Sequence, residues 1–171
     1  MRYFLDFDRT LFDTDSFKTY LRTREDLLDT SEYADEEFVS ELPKRAHAGS
    51  LTFEPGELSR FLYQDAAQFL REKENAVTII TFGDALFQEL KTKSALYGIP
   101  RMSVMYTGDV MKGEFLAPHT HLHAGAVLVD DSPRELETLA VRCPGLELYE
   151  IRRDGGVGDG RWPVIHTLEG V

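Results

Sequence analysis

The apolar positions of this chain fall into short continuous runs separated by helical stripes. The runs lie at 2–7, 76–82, 102–106, 124–131 and 146–151. Apolar runs of this length predict strands of a buried sheet, whereas apolar residues at every third or fourth position predict helices. Strands and helices that alternate in this way predict an α/β fold, with a Rossmann-like parallel sheet between two layers of helices.

Capping residues and prolines predict where the helices begin and end. A first stripe, which includes Phe17 and Leu28, can begin at a cap at Asp15 or Ser16. Pro43 is expected to end the second helix, because proline lacks the N–H that a helix interior needs. Pro55 suits the first turn of the third helix, and Gly98 suits the position after the last turn of the fourth. A capping box at Ser132 marks the start of the fifth helix. The predicted helices therefore cover 15–28, 35–42, 55–75, 84–97 and a segment that begins after Ser132.

The segment 14–54 stands apart because it follows the first strand directly and holds two short helices with no convincing strand between them. A chain of 171 residues can form one domain with a modest insertion. The sequence therefore predicts an α/β core of residues 1–13 and 55–171, with residues 14–54 as a small helical cap over the strand ends.

The charge of the chain limits the kinds of partner that it can bind. Nineteen basic and thirty acidic residues give a net charge of −11, which disfavours nucleic acid and anionic membrane surfaces as partners. Cys143 is the only cysteine, so an internal disulfide is excluded and a reducing compartment is favoured. No uninterrupted apolar run approaches the length of a membrane span, and Asp6 interrupts the apolar start. These features predict a soluble, cytoplasmic protein, and they do not forbid a small anion at a local site.

Two aspartates end the first strand. Asp6 and Asp8 are two residues apart, so strand alternation sends both to the same side. Two carboxylates that close repel one another, and a bound cation or a shared proton would relieve the repulsion. The end of this strand is therefore the first candidate for a reactive site.

Other strands carry polar residues to the same edge of the predicted sheet. In open parallel sheets the ligand site lies beyond the carboxyl ends of the strands. The residues expected there, besides Asp6 and Asp8, are Thr81, Phe82, Gly83, Asp130 and Asp131, with Lys112 as a balancing positive charge. Oxygen ligands around an anion site favour Mg²⁺, which usually keeps water ligands that a phosphate can replace. The sequence thus predicts a magnesium and phosphate site.

Four segments in order resemble the four motifs of the haloacid dehalogenase superfamily. They are "LDFDRTLFD", "TIITFG", "KGEF" and "VLVDDSP", and they span Asp6 to Pro133. The order and relative spacing of all four are similar to the family pattern. The chain therefore resembles a hydrolase of this superfamily, of the phosphatase type, with a small helical C1-type cap.

The resemblance implies a role for each matching residue. Asp6 would be the nucleophile that forms an aspartyl phosphate, and Asp8 would carry the proton that the leaving oxygen receives. Thr81, with the backbone N–H groups of Phe82 and Gly83, would hold the phosphoryl oxygens, and Lys112 would pair with their charge. The implied magnesium ligands are Asp6, the main-chain carbonyl of Asp8, Asp130 and, directly or through water, Asp131.

Several readings stay open at the level of sequence. An acid at position 8 favours phosphate esters over carbon–halogen bonds, because an alkoxide needs protonation on leaving and a halide does not. The resemblance thus implies a Mg²⁺-dependent phosphatase acting on a small phosphomonoester. A phosphomutase or phosphotransferase of the same superfamily is one alternative, and a protein that binds a phosphorylated ligand without turnover is another.

Three further features have two readings each. Arg9, where the family commonly has glycine, could bind a second anionic group of a substrate, although a surface ion pair is favoured. His119, His121 and His123 could form a transition-metal site in an extended segment, although a polar loop is favoured. Residues 152–161 are glycine-rich but lack the ending of a phosphate-binding P-loop, which predicts a flexible loop.

Overall fold

The sheet has six parallel strands in the order β3-β2-β1-β4-β5-β6. This is a computed structural model, and it describes residues 1–30, 32–99 and 102–171. The strands are β1 (Tyr3–Leu5), β2 (Val77–Thr81), β3 (Ser103–Tyr106), β4 (Val127–Asp130), β5 (Glu147–Ile151) and β6 (Val164–Ile165). The first five lie within the predicted runs, so the α/β fold with a parallel sheet is confirmed. The short edge strand β6 was not predicted.

Helices cover both faces of this sheet. They are α1 (Thr14–Leu21), α2 (Asp35–His47), α3 (Gln64–Glu72), α4 (Ala85–Ala95), α5 (Lys112–Leu116), α6 (Thr120–His123) and α7 (Pro133–Arg142), with 3₁₀ turns at Glu25–Thr30, Ser59–Phe61 and Leu168–Gly170. Leu5 packs in one apolar cluster with Phe17 of α1 and Phe38 of α2, whereas Phe4 packs in a second cluster with Leu136 of α7. None of the helices in the described ranges is long and apolar enough to cross a membrane.

The prediction that Pro43 ends the second helix is wrong, because α2 continues through it to His47. Phe38, Leu42 and Ala46 are all buried and lie four residues apart, so one apolar face runs past the proline. The packing of this face outweighs the hydrogen bond that proline removes.

The predicted helix over 55–75 is also wrong in its first half. Only Gln64–Glu72 forms an α-helix, and Leu62 is extended. The backbone here pairs with the loop after β1: the N–H of Asp13 donates to Phe61 at 2.8 Å and the N–H of Tyr63 donates to Leu11 at 3.0 Å. These hydrogen bonds join distant parts of the chain, and a helical stripe cannot reveal them.

The N-terminal caps agree with the sequence at two helices and differ at one, and α4 ends at Ala95, two residues before the predicted end at residue 97. Asp84 accepts from the N–H of Phe87 at 2.9 Å, and Ser132 caps α7, both as predicted. The first helix is instead capped by Asp13, which accepts from Ser16 at 2.9 Å, and it ends at Leu21 rather than running to Leu28. The stripe continues only as the 3₁₀ turn Glu25–Thr30, and the division into core and cap at residues 14 and 54 stays a prediction.

Gly113 in α5 packs closely against the backbone of α7. A Cβ there would lie 2.5 Å from the backbone carbonyl of Thr138 and 2.8 Å from the nitrogen of Leu139 in α7. We expect Gly113→Ala to lower the free energy of unfolding by about 1–3 kcal/mol, because backbone has to move to admit the methyl group. Denaturant titration measures this, and Gly170→Ala is the matched control because a Cβ there meets nothing within 4 Å. Equal stability of the two variants would contradict the prediction.

Candidate active site

The carboxyl edge of the sheet brings most of the predicted site residues together. Asp6 follows β1, Thr81 ends β2, Asp130 ends β4 and Lys112 begins α5. A cavity of about 320 Å³ opens between them. Its lining residues are Asp6, Asp8, Thr81, Phe82, Met111, Lys112, Asp130, Asp131, Ser132, Arg134 and Glu135. The edge rule for parallel sheets accounts for Asp6, Thr81 and Asp130, since each of them lies at or just beyond a strand end.

Lys112 supplies the positive charge in the centre of this site. Its side chain is buried, and its Nζ donates to Oδ1 of Asp6 and to Oδ2 of Asp130, both at 2.5 Å. Burial disfavours the charged amine, but the two carboxylates overcome this and raise the pKa of Lys112. Lys112 therefore stays charged at neutral pH between the two buried carboxyl groups.

Asp6, Asp130 and Asp131 form an acidic cluster that could hold a metal ion. One carboxylate oxygen from each lies within 4.8 Å of the others. Burial raises the pKa of Asp6 well above its usual value, with Asp130 and Asp131 adding to the rise and Lys112 opposing it. A divalent cation among the three oxygens would relieve this repulsion, so the donor set fits a hard, oxygen-binding metal such as Mg²⁺.

Two buried polar atoms of the site have no hydrogen-bond partner in the described part of the chain. They are Oδ2 of Asp6 and Oγ1 of Thr81. Buried polar atoms are almost always paired in folded proteins, so two unpaired ones beside the same cavity indicate a ligand site. One is a carboxylate oxygen, which suits a cation or an electrophile, and the other is a hydroxyl, which can donate to an anion.

Asp8 makes a different set of contacts from Asp6. Nζ of Lys91 donates to both of its carboxylate oxygens at 2.6 and 2.8 Å, and Gln88 and Thr14 donate at 2.9 and 2.7 Å. Burial alone would raise the pKa of Asp8, but these donors overcome it and the pKa lies below its usual value. Asp8 is therefore ionised at neutral pH, which differs from the protonated state that the sequence led us to expect.

The fold is shared with solved structures of low sequence identity. HAD-hydrolase YfnB from Bacillus subtilis, solved bound to magnesium, superposes with a TM-score of 0.66 at 14% identity, over 99% of this chain and 96% of that one. The UTR4 protein from Saccharomyces cerevisiae gives 0.57 at 16% identity over 99% of both chains. A haloacid dehalogenase-like hydrolase from Burkholderia xenovorans gives 0.58 at 20% identity, over 88% of this chain and 83% of that one.

The present chain has the haloacid dehalogenase-like fold. No protein-family model matches the sequence, and no curated protein matches it. The shared fold of the solved structures nevertheless agrees with the resemblance that the four short motifs indicate. Within this fold the motif residues Asp6, Thr81, Lys112 and Asp130 all reach the cavity at the carboxyl edge.

One predicted substrate contact does not fit the site. The N–H of Gly83 donates to the carbonyl of Gly108 at 2.8 Å, so it is not free to hold a phosphoryl oxygen. Gly83 has φ +111°, which only glycine adopts easily, and this backbone shape allows the contact. Arg9 forms an ion pair with Asp15 at 2.9 Å, as the sequence analysis favoured. It lines a neighbouring cavity and not this one. Phe82 is partly exposed and does line the site.

Lys91, Gln88 and Glu135 are site residues that sequence reasoning missed. Lys91 is buried, and its Nζ lies 5.3–5.7 Å from the centres of four phenylalanine rings, with Asp8 as its ion-pair partner. Glu135 accepts from the backbone N–H of Lys112 at 2.9 Å and so orients the start of α5. Gln88 and Lys91 lie three residues apart, so helical spacing places both on one face of α4, and that face could have been recognised as buried.

The histidines around α6 form no metal site in the described residues. Asp6, Asp130 and Asp131 are the one group of at least three potential ligands that the described ranges bring close together. His119 and His121 are exposed, whereas His123 is buried. The expected polar loop is wrong, because Thr120–His123 forms a short helix. Residues 152–161 form a loop, as predicted, and the flexibility of this loop stays a prediction.

Asp131 makes the effect of Mg²⁺ on stability depend on pH. Burial and the charge of Asp130 raise the pKa of Asp131 to about 6, whereas an unfolded aspartate has a pKa of about 3.9. Between these values the folded state binds more protons than the unfolded state, so without metal the free energy of unfolding falls as pH rises. A cation instead favours the ionised carboxylates, so its stabilising effect grows over the same range.

We therefore expect Mg²⁺ to raise the melting temperature more at pH 7 than at pH 5. At a hundred times its dissociation constant, Mg²⁺ would add about 2.7 kcal/mol at pH 7, or roughly 5–10 °C for a chain of this size. Thermal unfolding with and without MgCl₂ measures both shifts. Asp131→Asn is the control and should reduce the difference between the two pH values. An equal shift at both pH values in the native protein would contradict the prediction.

Proposed function

We propose that the protein is a Mg²⁺-dependent phosphatase that hydrolyses a small phosphomonoester through an aspartyl phosphate on Asp6. The observation that carries this proposal is the carboxylate of Asp6. One of its oxygens is held by Lys112, and the other is buried without a partner among the described residues. A fixed carboxylate with a free oxygen beside a cavity is what a nucleophile needs.

The proposed reaction has two steps. A carboxylate oxygen of Asp6 attacks phosphorus, the P–O bond to the leaving group breaks, and the leaving oxygen receives a proton. A water molecule then attacks the phosphorus of the aspartyl phosphate, gives up a proton, and releases inorganic phosphate and the free Asp6 carboxylate. The hydroxyl of Thr81 and the charge of Lys112 would bind the phosphoryl oxygens during both steps.

Mg²⁺ would be held by Asp6, Asp130 and Asp131, with the main-chain carbonyl of Asp8 as a further ligand. It would supply positive charge that offsets the repulsion between the phosphate and the carboxylates. The magnesium in the YfnB structure, which has the same fold, supports the choice of metal.

Asp8 would serve both steps as the group that exchanges protons. Its ionised state fits the second step, where a base takes the proton from water. The first step needs a proton on Asp8 or a leaving group that departs as an anion. Aryl phosphates meet the second condition, so they are suitable first substrates. Thr14, at the start of the proposed cap (residues 14–54), donates to Asp8, which connects that segment to the chemistry.

We also propose a cellular location and a substrate class for the protein. A cytoplasmic location agrees with the single cysteine, and a small phosphorylated substrate rather than nucleic acid agrees with the net charge of −11. We keep the phosphatase ahead of a mutase because a mutase has to retain its phosphorylated intermediate under the cap, and the proposed cap (residues 14–54) is small.

Release of inorganic phosphate from an aryl phosphate, with Mg²⁺ and with excess chelator, tests this function. We expect turnover that requires the metal. A parallel assay of halide release from a 2-haloacid separates phosphatase from dehalogenase activity. Halide release without phosphate release would overturn the proposal, and so would a folded protein that binds Mg²⁺ but hydrolyses no aryl phosphate.

A further inference from the structure

A second cavity of about 460 Å³ lies beside the catalytic one, and Asp131 lines both. This volume is in the range of small-molecule sites. Its walls come from the loop after β1, from Tyr63 and from the segment that follows β5. A phosphomonoester whose phosphoryl group lies at Asp6 could therefore extend its leaving group into this second cavity.

Arg152 in this cavity has unused hydrogen-bonding capacity. Its Nη2 contacts Oε1 of Glu150 at 2.5 Å, and Glu150 is fully buried, so the guanidinium is held in place. Its Nε is buried and has no hydrogen-bond partner in the part of the chain that the structure describes. About 32% of the Arg152 side chain is exposed, so the exposed part of this fixed guanidinium suits an anion such as a carboxylate or phosphate in the cavity.

Arg9 adds a second cation to the same cavity. It lies directly after Asp8 and has φ +59°, a conformation that non-glycine residues rarely adopt. Its contact with Asp15 is a surface ion pair, since both side chains are more than half exposed. Surface pairs of this kind contribute little free energy, so a ligand anion can replace Asp15.

Two more charged residues of the cavity are already engaged, and Asp131 also lines the first cavity, where it is a proposed metal ligand. Arg153 donates to both oxygens of Asp65 and to the carbonyls of Thr10 and His166. Asp154 accepts from the N–H of Gly156 at 2.9 Å. Arg9 and Arg152 are therefore the two cations of this cavity that are available to a ligand, in a chain whose net charge is −11.

We infer that the second cavity binds a second anionic group of the substrate, through Arg152 and Arg9. The substrate class is then a small phosphomonoester that also carries a carboxylate or a second phosphate. This inference rests on the proposed function for the position of the phosphoryl group. The two arginines would select such substrates because each forms charge-assisted hydrogen bonds with an anion.

Binding of unreactive phosphonates tests this inference without requiring turnover. Calorimetry in the presence of Mg²⁺ would compare alkyl phosphonates with analogues of equal chain length that end in a carboxylate or in a second phosphonate. We expect the terminal anion to tighten binding by at least about tenfold. The carboxylate and phosphonate series show which anion is preferred. A gain below threefold in both series would overturn the inference.

Substitutions assign the gain to the second cavity. We expect Arg152→Met to reduce the affinity ratio between paired ligands to near one, and Arg9→Met to reduce it in part. Arg71→Met, at an exposed arginine of α3, is the matched control and should keep the native ratio. A ratio unchanged in Arg152→Met would overturn the inference. If the ratio behaves as expected but no aryl phosphate is hydrolysed, the binding site stands and the proposed phosphatase fails.

Discussion

Replacing Asp6 with asparagine should abolish metal-dependent phosphate release, with a loss of at least about a thousandfold in kcat. An amide oxygen is a much weaker nucleophile than a carboxylate oxygen, so no aspartyl phosphate can form. The substitution keeps the size of the side chain and an oxygen that can accept from Lys112. Lys112 also keeps its 2.5 Å contact with Asp130, so we expect the fold to persist.

Steady-state kinetics and thermal unfolding together test this prediction. Asp13→Asn is the matched control: Asp13 lies in the same loop and caps α1, where asparagine serves almost equally well. This control should keep activity within a few-fold of the native protein. A folded Asp6→Asn protein with native turnover would exclude Asp6 as the nucleophile.

Replacing Lys112 with methionine should be the most destabilising change in the site. It leaves Asp6 and Asp130 buried beside one another without the cation that each contacts at 2.5 Å. Removing one partner from a buried ion pair costs about 3–5 kcal/mol, because a buried charge is left uncompensated. We expect a loss of this size in the free energy of unfolding at pH 7 without metal. Phosphate release should fall as well, since Lys112 lines the cavity.

The same variant should recover stability when the carboxylates are neutralised. Lowering the pH to 5 adds protons to the acidic cluster, and Mg²⁺ adds positive charge, so either should restore part of the loss. Lys93→Met is the control, because Lys93 is exposed and its ion pair with Glu89 spans one helical turn. Denaturant titrations measure the free energy of unfolding of the native protein and of both variants. A Lys112→Met protein within 1 kcal/mol of the native one at pH 7 would contradict this view of the site.

The strands and the main site residues could be predicted because both depend on short-range patterns. Runs such as 76–82 and 124–131 contain β2 and β4, and Thr81 and Asp130 end those strands. The carboxyl ends of parallel strands meet at one edge, so the assembly of the site follows from the strands. Lys112 was predicted as the balancing positive charge at this edge, and the resemblance implied the same role, whereas its ion pair with Asp130 was not predicted.

The features that were missed depend on contacts between distant parts of the chain. Lys91 lies 83 positions from Asp8 in sequence, and their pairing appears only when α4 packs over the end of β1. The stretch before α3 reads as helix, but Asp13 and Tyr63 join it to the loop after β1 by backbone hydrogen bonds. Tertiary hydrogen bonds and packing override local propensity in such segments.

The ionised state of Asp8 is another result of long-range contacts. The sequence shows a carboxylate two residues from the nucleophile, and a shared proton was a reasonable expectation. The structure instead surrounds Asp8 with Lys91, Gln88 and Thr14, which favour the ionised form. These donors come from α4 and α1, so neither the motif nor its spacing could reveal them.

The most direct test of the account is the detection of phosphate on Asp6. The native protein would be mixed with excess aryl phosphate and Mg²⁺, quenched in acid during turnover, digested and examined by mass spectrometry. We predict a phosphorylated peptide that contains Asp6, absent without Mg²⁺ and absent in Asp6→Asn. Metal-dependent turnover with no phosphate on Asp6, or with phosphate on another residue, would contradict the account.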